Sequence, residues 1–247
     1  MSDCNIGAIP TSDGTLHWLE LRETTDFPSD ESPSWLSPEE EQYRQSLRSD
    51  KRRRDWLLGR HAAKQLVASL VEEMIGREIA LNAITILPHA DGWPIVTLPH
   101  YGDLPPLTLS ISHSRDRAFC AAVWGVGKFV GADIEFIEPR LATFPDEYFT
   151  ALERQFLAAA SPEQPTTLTN AIWSGKEAAL KAIRRGLAED TRLVSCLPHP
   201  QMISASEWLP MRIIWDARRQ PQPMPPLTGR WRAGDGFVMT LAFASSR

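Results

Sequence analysis

An α+β fold with antiparallel sheets is predicted for this chain of 247 residues. Three observations predict it. Apolar residues recur at helical spacing in two stretches, 50–74 and 170–185. Short runs rich in β-branched and aromatic residues are joined by tight polar turns, the pattern of antiparallel hairpins. The last two runs flank Gly234-Asp235-Gly236, a sequence suited to a hairpin turn. Helices mixed with antiparallel hairpins define the class.

In chain order, a strand is expected around Leu16–Leu21, followed by a Pro/Ser/Asp-rich loop to residue 34. Ser37-Pro38-Glu39-Glu40 opens a helix: Ser37 can cap, Pro38 suits the first helical position, and Glu40 completes a capping box. In the helix over 50–74, Trp56, Ala63, Leu66, Leu70 and Met74 form the expected core stripe. Residues 84–106, rich in Pro and Gly, read as loop with short strands. Leu107–Ser112 and Ala118–Trp124 read as strands joined by a turn at Ser114–Arg117. Gly125-Val126-Gly127 is a hinge that divides the chain into subdomains 1–126 and 127–247. A strand over Val130–Phe136 follows, then helices at 145–160 and 170–185. Strands at Met211–Asp216, Thr228–Arg232 and Phe237–Ala244 close the chain, with a Pro-rich loop at 221–226. No internal repeat is legible.

Composition narrows the function. The formal net charge of −5 argues against a dedicated nucleic-acid binder, which carries a broad basic field. It leaves room for a local basic pocket. Cys4, Cys120 and Cys196 are scattered without metal-ligand spacing and read as reduced thiols. The N-terminus lacks the basic-then-apolar pattern of a signal peptide, and no apolar run is long enough to cross a membrane. A cytoplasmic protein is expected.

Four segments can carry chemistry. In Gly131-Ala132-Asp133-Ile134-Glu135, on a strand, alternation puts both carboxylates on one face, where a hard cation such as Mg²⁺ would relieve their repulsion. A solvated strand face is the alternative. In Trp173-Ser174-Gly175-Lys176-Glu177 with Lys181, on a helix, Glu177, Lys181 and Arg184 share a face. An ordinary exposed Glu–Lys pair explains this equally, unless Glu177 reaches Asp133 and Glu135. Ser110-Ile111-Ser112-His113-Ser114 ends a strand with several donors suited to a phosphate oxygen, or is simply a polar turn. The basic run Lys51-Arg52-Arg53-Arg54 continues into Arg60 and Lys64. Arg53, Arg60 and Lys64 stack on one helix face and suit a phosphomonoester, unless that face is merely solvated.

Taken together and in this order, the four segments resemble the 4′-phosphopantetheinyl transferase superfamily, specifically its long, Sfp-type branch. The paired Gly-x-Asp-x-Glu strand and Trp-x-x-Lys-Glu-x-x-x-Lys helix carry the resemblance, which spans residues 50–185. It implies two similar α/β subdomains with antiparallel sheets related by a pseudo-twofold, with coenzyme A in the cleft between them, in a monomer. It implies Asp133, Glu135 and Glu177 as Mg²⁺ ligands, with Mn²⁺ as an alternative metal. Lys181 would hold a pyrophosphate oxygen. Ser112, His113 and Arg53 or Arg60 would contact the coenzyme's 3′-phosphate. Lys176 would order the phosphates or the incoming serine, and Glu153 or Glu177 would be the base. The family often has Gly-Lys-Pro where this chain has Gly92-Trp93-Pro94. A neutral Trp93 cannot replace that charge, though it offers a ring on which adenine could stack.

The activity implied is transfer of the 4′-phosphopantetheine arm of coenzyme A to a serine of an apo acyl or peptidyl carrier protein, releasing adenosine 3′,5′-bisphosphate. Two rivals use the same residues: a Mg²⁺-dependent pyrophosphate hydrolase, and a non-catalytic protein that binds coenzyme A or a carrier.

Overall fold

The computed structural model describes residues 4–12, 14–23, 33–99, 101–160, 165–185, 189–200, 207–219 and 223–244. The chain divides into two compact units, Met1–Lys128 and Phe129–Arg247.

In the first unit, strands β1 (Cys4–Thr11) and β2 (Gly14–Arg22) form a hairpin. Helices α1 (Pro38–Ser46) and α2 (Asp50–Ile75) follow. After these come the short hairpin β3 (Thr85–Pro88) and β4 (Pro94–Thr97), then β5 (Leu107–Ser114) and β6 (Arg117–Trp124). The main sheet has the order β1-β2-β6-β5 and is antiparallel throughout. The core lies between this sheet and α2, where Leu58, Ala62, Leu66 and Leu70 meet Leu19, Leu21, Ala118 and Cys120. Of the stripe expected on α2, Ala63, Leu66 and Leu70 lie in the core, and Trp56 and Met74 do not. Leu57, Leu58, Ala62, Ala63, Leu66, Val67, Leu70 and Val71 are buried, while Met74 is exposed. Trp56 is half-buried beside Tyr43, at a ring separation of 5.5 Å.

The second unit begins with β7 (Phe129–Phe136). Helices α3 (Phe144–Tyr148), α4 (Ala151–Ala158) and α5 (Pro165–Ala182) follow, then β8 (Val194–Pro198), β9 (Leu209–Trp215), β10 (Thr228–Gly234) and β11 (Phe237–Ala244). Its antiparallel sheet has the order β7-β11-β10-β9-β8. Helix α5 lies on it, with Ala171, Ala178 and Ala182 against Trp231, Val238 and Ala242. The expected β10–β11 turn is present: Gly234 pairs with Phe237, and Asp235 and Gly236 take φ of 51° and 81°. Both central residues at positive φ make a type I′ turn, whose twist matches its strands.

The structure differs from the expected elements in four places. Strands β1 and β8 lie where no element was expected. The helix expected over 145–160 breaks at Phe149, because Thr150 caps a new helix, α4. The helix expected over 170–185 starts earlier, at Pro165, and stops at Ala182. There Arg184 turns left-handed (φ 61°), its N–H reaches Lys181 O, and the Arg185 N–H reaches Leu180 O. This is a Schellman stop with arginine at the position that favours glycine. Arg184 thus leaves the Glu177/Lys181 face. The loop expected before residue 35 lies largely outside the described residues, as does part of the Pro-rich loop. No described helix is long and apolar enough to cross a membrane.

Candidate functional site

Gly131 explains how the second unit's charged residues meet. A Cβ there would overlap the backbone carbonyl of Ala178, so only glycine lets α5 lie directly on β7. Two strand residues advance about 6.6 Å and four helix residues about 6.0 Å. Laid antiparallel, the two elements therefore stay in step. Lys181 and Glu177 stand beside Asp133, and Trp173 beside Glu135. Lys181 Nζ lies 2.7 Å from Asp133 Oδ1, and Trp173 Nε1 donates to Glu135 Oε1 at 3.0 Å. A Ser174–Thr240 hydroxyl bond of 2.7 Å pins α5 to β11 opposite Asp133.

The electrostatics are those of crowded carboxylates. Asp133 and Glu177 are buried. Burial and then Asp133 push the Glu135 carboxyl up, against the pull of Arg140 and Trp173. Burial, followed by Asp133, pushes Glu177 up to about 7, with Lys181 opposing. Glu177 Oε1 is buried and accepts no hydrogen bond. A buried, unsatisfied carboxylate oxygen costs about 1–3 kcal/mol or more unless something pairs with it.

Three hard oxygen donors of this kind suit Mg²⁺ chemically, and the unsatisfied Glu177 oxygen supports the fit. As they stand the three do not enclose a point: among the described residues no three His, Cys, Asp or Glu side chains form a ready metal cage. Asp133 is drawn to Lys181, and Glu135 to Arg140 Nη2 at 2.9 Å.

Lys176 and Glu153 are placed differently from expectation. Both side chains are fully buried and pair at 2.8 Å. Lys176 also donates to Thr191 O (2.9 Å) and Val194 O (2.6 Å). Glu153 accepts from Cys196 N (2.7 Å) and closes the capping box of α4 on Thr150 N (2.8 Å). Neither is open to a phosphate or a serine. This corrects the assignment of Lys176 to phosphate contact and of Glu153 as base: the pair is a tertiary fastener.

In the first unit a cavity of about 500 Å³ opens beside α2, walled by Lys51, Arg52, Trp56, Arg60, Gly92, Pro94 and His113, among others. Arg60 is 7% exposed, with its Nε and Nη1 buried and lacking acceptors. Its guanidinium carbon sits 4.9 Å from the Trp56 ring centroid. Burial lowers it to about 10, against the nearby Glu40, so it stays charged at neutral pH. Gly59 lets β5 approach: a Cβ there would stand 3.1 Å from Ile111 and 4.0 Å from His113.

Strand alternation sends Ile111 and His113 to the cavity and the buried Ser112 to the opposite face. Ser112 does not line this cavity. Arg53 pairs with Asp50 and donates to Leu47 O at 2.6 Å, while Lys51 and Arg52 face the cavity. Lys64 is fully buried and pairs with Glu40. Trp93 stacks on His89 at 3.8 Å, leaving Gly92 and Pro94 as the wall.

A family model described as the 4′-phosphopantetheinyl transferase superfamily matches residues 129–242. A 4′-phosphopantetheinyl transferase of Bacillus subtilis is 29% identical over 122 residues, covering 49% of this chain and 53% of the relative. A holo-[acyl-carrier-protein] synthase of Geobacillus sp. (strain WCH70) is 36% identical over 75 residues, covering 30% of this chain and 61% of its own length. The chain thus spans between half and two thirds of the length of the curated relatives it matches. Among solved structures, the Helicobacter pylori holo-[acyl-carrier-protein] synthase in complex with coenzyme A is 24% identical. That match covers 37% of this chain and 77% of the other, with a TM-score of 0.31. The apo-ACPS structure of Chronobacterium ammoiniagenes is 22% identical, covering 51% and 99%, with a TM-score of 0.35.

The superfamily's paired motif lies within the matched residues. Residues that the sequence reading missed are Arg140, which holds Glu135 from outside the motif, and Asn170, which holds Arg140; Lys51 and Arg52 belong to the basic run but were given no individual role. Trp173 belonged to the motif but had no role. Its position four residues before Glu177 was the available signal.

Proposed function

We propose that this protein transfers the 4′-phosphopantetheine arm of coenzyme A to a serine of an apo carrier protein, as a member of the long, Sfp-type branch. The observation that carries the reading is the strand-on-helix cluster of Asp133, Glu135, Glu177 and Lys181 inside the residues matched by the superfamily model.

In this reading Asp133, Glu135 and Glu177 hold Mg²⁺, which when bound supplies Lewis-acid neutralisation of the pyrophosphate. Lys181 swings from Asp133 to a phosphate oxygen. The carrier serine oxygen bonds to the β-phosphorus as the bond to the bridging oxygen breaks, and adenosine 3′,5′-bisphosphate leaves. Glu177 is the candidate base: its carboxyl titrates near neutral pH and one oxygen has no partner, whereas Glu153 is sealed away. In the first unit Arg60 and His113, with Lys51 and Arg52, offer positive charge and donors for a phosphomonoester such as the coenzyme's 3′-phosphate. Three free cysteines, two of them buried, agree with a reducing cytoplasmic location.

The test is intact mass of a panel of apo carrier domains after incubation with the protein, coenzyme A and Mg²⁺. Gain of one phosphopantetheine, lost with chelator and with a serine→alanine carrier, is the expected result. Cleavage of coenzyme A with every carrier unmodified overturns the transferase reading in favour of a hydrolase. Binding of coenzyme A without chemistry overturns it in favour of a binding protein.

A further inference from the structure

Glu135 is gripped from two sides, and one grip lies outside the motif. Trp173 Nε1 donates to Oε1 at 3.0 Å, and Arg140 Nη2 to Oε2 at 2.9 Å. Arg140 sits on the segment after β7 and is itself fixed. Its Nε donates to Asn170 Oδ1 at 3.0 Å, and its guanidinium carbon lies 5.4 Å from the Phe144 ring centroid. Asn170 is fully buried, and its Nδ2 donates to Glu138 O and Thr166 O, both at 2.8 Å. With both amide hydrogens committed, its oxygen must face Arg140. A flipped amide would set NH₂ against the guanidinium. The orientation therefore passes from Asn170 through Arg140 to Glu135.

Charge adds a second consequence. Among the described residues, Lys181 is paired with Asp133 and Arg140 with Glu135. Lys181 is tied to Asp133 by one flexible ammonium, which can turn away. Arg140 is a planar fork bridging Glu135 and Asn170, and planar bidentate geometry does not turn away without breaking both bonds. A divalent cation taking Glu135 as ligand must bind with this guanidinium in place.

We propose that Arg140 is a positioning residue for the carboxylate cluster, orienting Glu135 and keeping the cluster's affinity for a divalent cation low in the absence of phosphates. The proposal rests on the transferase reading only in taking these carboxylates as metal ligands.

The experiment is Mn²⁺ binding to the full-length protein without coenzyme A, read from the electron paramagnetic resonance signal of free Mn²⁺. Arg140→Met is expected to bind Mn²⁺ about tenfold more tightly, the size of effect a neighbouring charge exerts on a carboxylate. Its turnover at saturating Mn²⁺ falls as Glu135 loses its orientation. Arg140→Lys keeps the charge but cannot bridge Glu135 and Asn170. It is expected to keep wild-type Mn²⁺ affinity and still lose turnover. Unchanged or weaker Mn²⁺ binding by Arg140→Met overturns the proposal, and Arg140→Gln repeats the test should the methionine variant not fold. Asp133→Ala separates the two failures. If it loses Mn²⁺ while Arg140→Met binds as wild type, only the role of Arg140 falls. If it binds Mn²⁺ normally, the metal reading falls as well.

Discussion

The two units fasten their long helices by the same device and then diverge in what they leave unsatisfied. In the first, Ser37 caps α1, and its capping-box partner Glu40 turns inward to Lys64 of α2 and to the Ile86 N–H of β3. In the second, Thr150 caps α4, and Glu153 turns inward to Lys176 of α5 and to the Cys196 N–H of β8. Each lysine also donates to backbone carbonyls: Lys64 to Trp35 O, Lys176 to Thr191 O and Val194 O. These four charges are buried and paired. Beside them, the first unit keeps a buried guanidinium with two nitrogens unpaired, and the second a buried carboxylate with one oxygen unpaired. The difference teaches that burial of a charge does not mark chemistry here. In Arg60 and Glu177 burial is accompanied by unmet hydrogen-bonding capacity, which the two fasteners lack.

The largest effect expected from this contrast is on turnover. Asp133→Ala should lower phosphopantetheine transfer by at least three orders of magnitude, with the folded state intact by circular dichroism. Near-normal turnover at modest Mg²⁺ would sink the metal assignment.

Next comes the shared fastener. Glu40→Ala and Glu153→Ala each strand a buried lysine and should each cost about 3–5 kcal/mol of stability in urea melts. Glu153→Gln with Lys176→Met should cost less than Glu153→Ala alone. If either glutamate proves dispensable for stability while transfer is lost, the parallel between the units is broken.

A smaller effect concerns pH. Glu177 is held near 7 against an ordinary value of 4.5, so the folded state binds the extra proton between those values. Its penalty is absent below about pH 4.5, grows as pH rises through 7, and stays constant above. Measured with chelator present, Glu177→Gln should therefore be more stable than the parent at pH 8, by at most about 3 kcal/mol, and equal at pH 4. A pH-independent difference would contradict the burial argument.

The mildest expectation belongs to the first unit. Arg60→Met keeps the stem against Trp56 and removes the charge. It should raise KM for coenzyme A about tenfold to a hundredfold, as loss of a charged hydrogen bond does, with kcat little changed. A fall in kcat at unchanged KM would move Arg60 out of substrate binding.

Much of this was legible in residue order. The Ser37 capping box and the Asp235-Gly236 turn rest on local backbone bonds, so the sequence displays them. The strand and helix motifs are legible for a similar reason, because alternation and helical spacing alone put Asp133 with Glu135 and Glu177 with Lys181. Strand β1 was missed because Asn5, Gly7 and Pro10 are poor strand formers, although its partner β2 follows directly in sequence. Glu153 and Lys176 were misread because their neighbours, Cys196, Thr191 and Val194, come from a strand and turn that no pattern announces. One helical or strand position separates Arg53 and Ser112 from the residues that line the first-unit cavity, a difference of face that spacing alone does not settle.

By itself, the sequence determined the match between a two-residue strand period and a four-residue helix period, and with it the glycine that permits contact. Those are properties of covalent geometry, identical wherever the motif occurs. Only the tertiary structure decided which charges are spent. Lys176, Glu153, Lys64 and Glu40 are consumed by partners distant in the chain, while Glu177 and Arg60 are left wanting. Burial makes that distinction energetically large, and burial is a property of everything that packs around a residue.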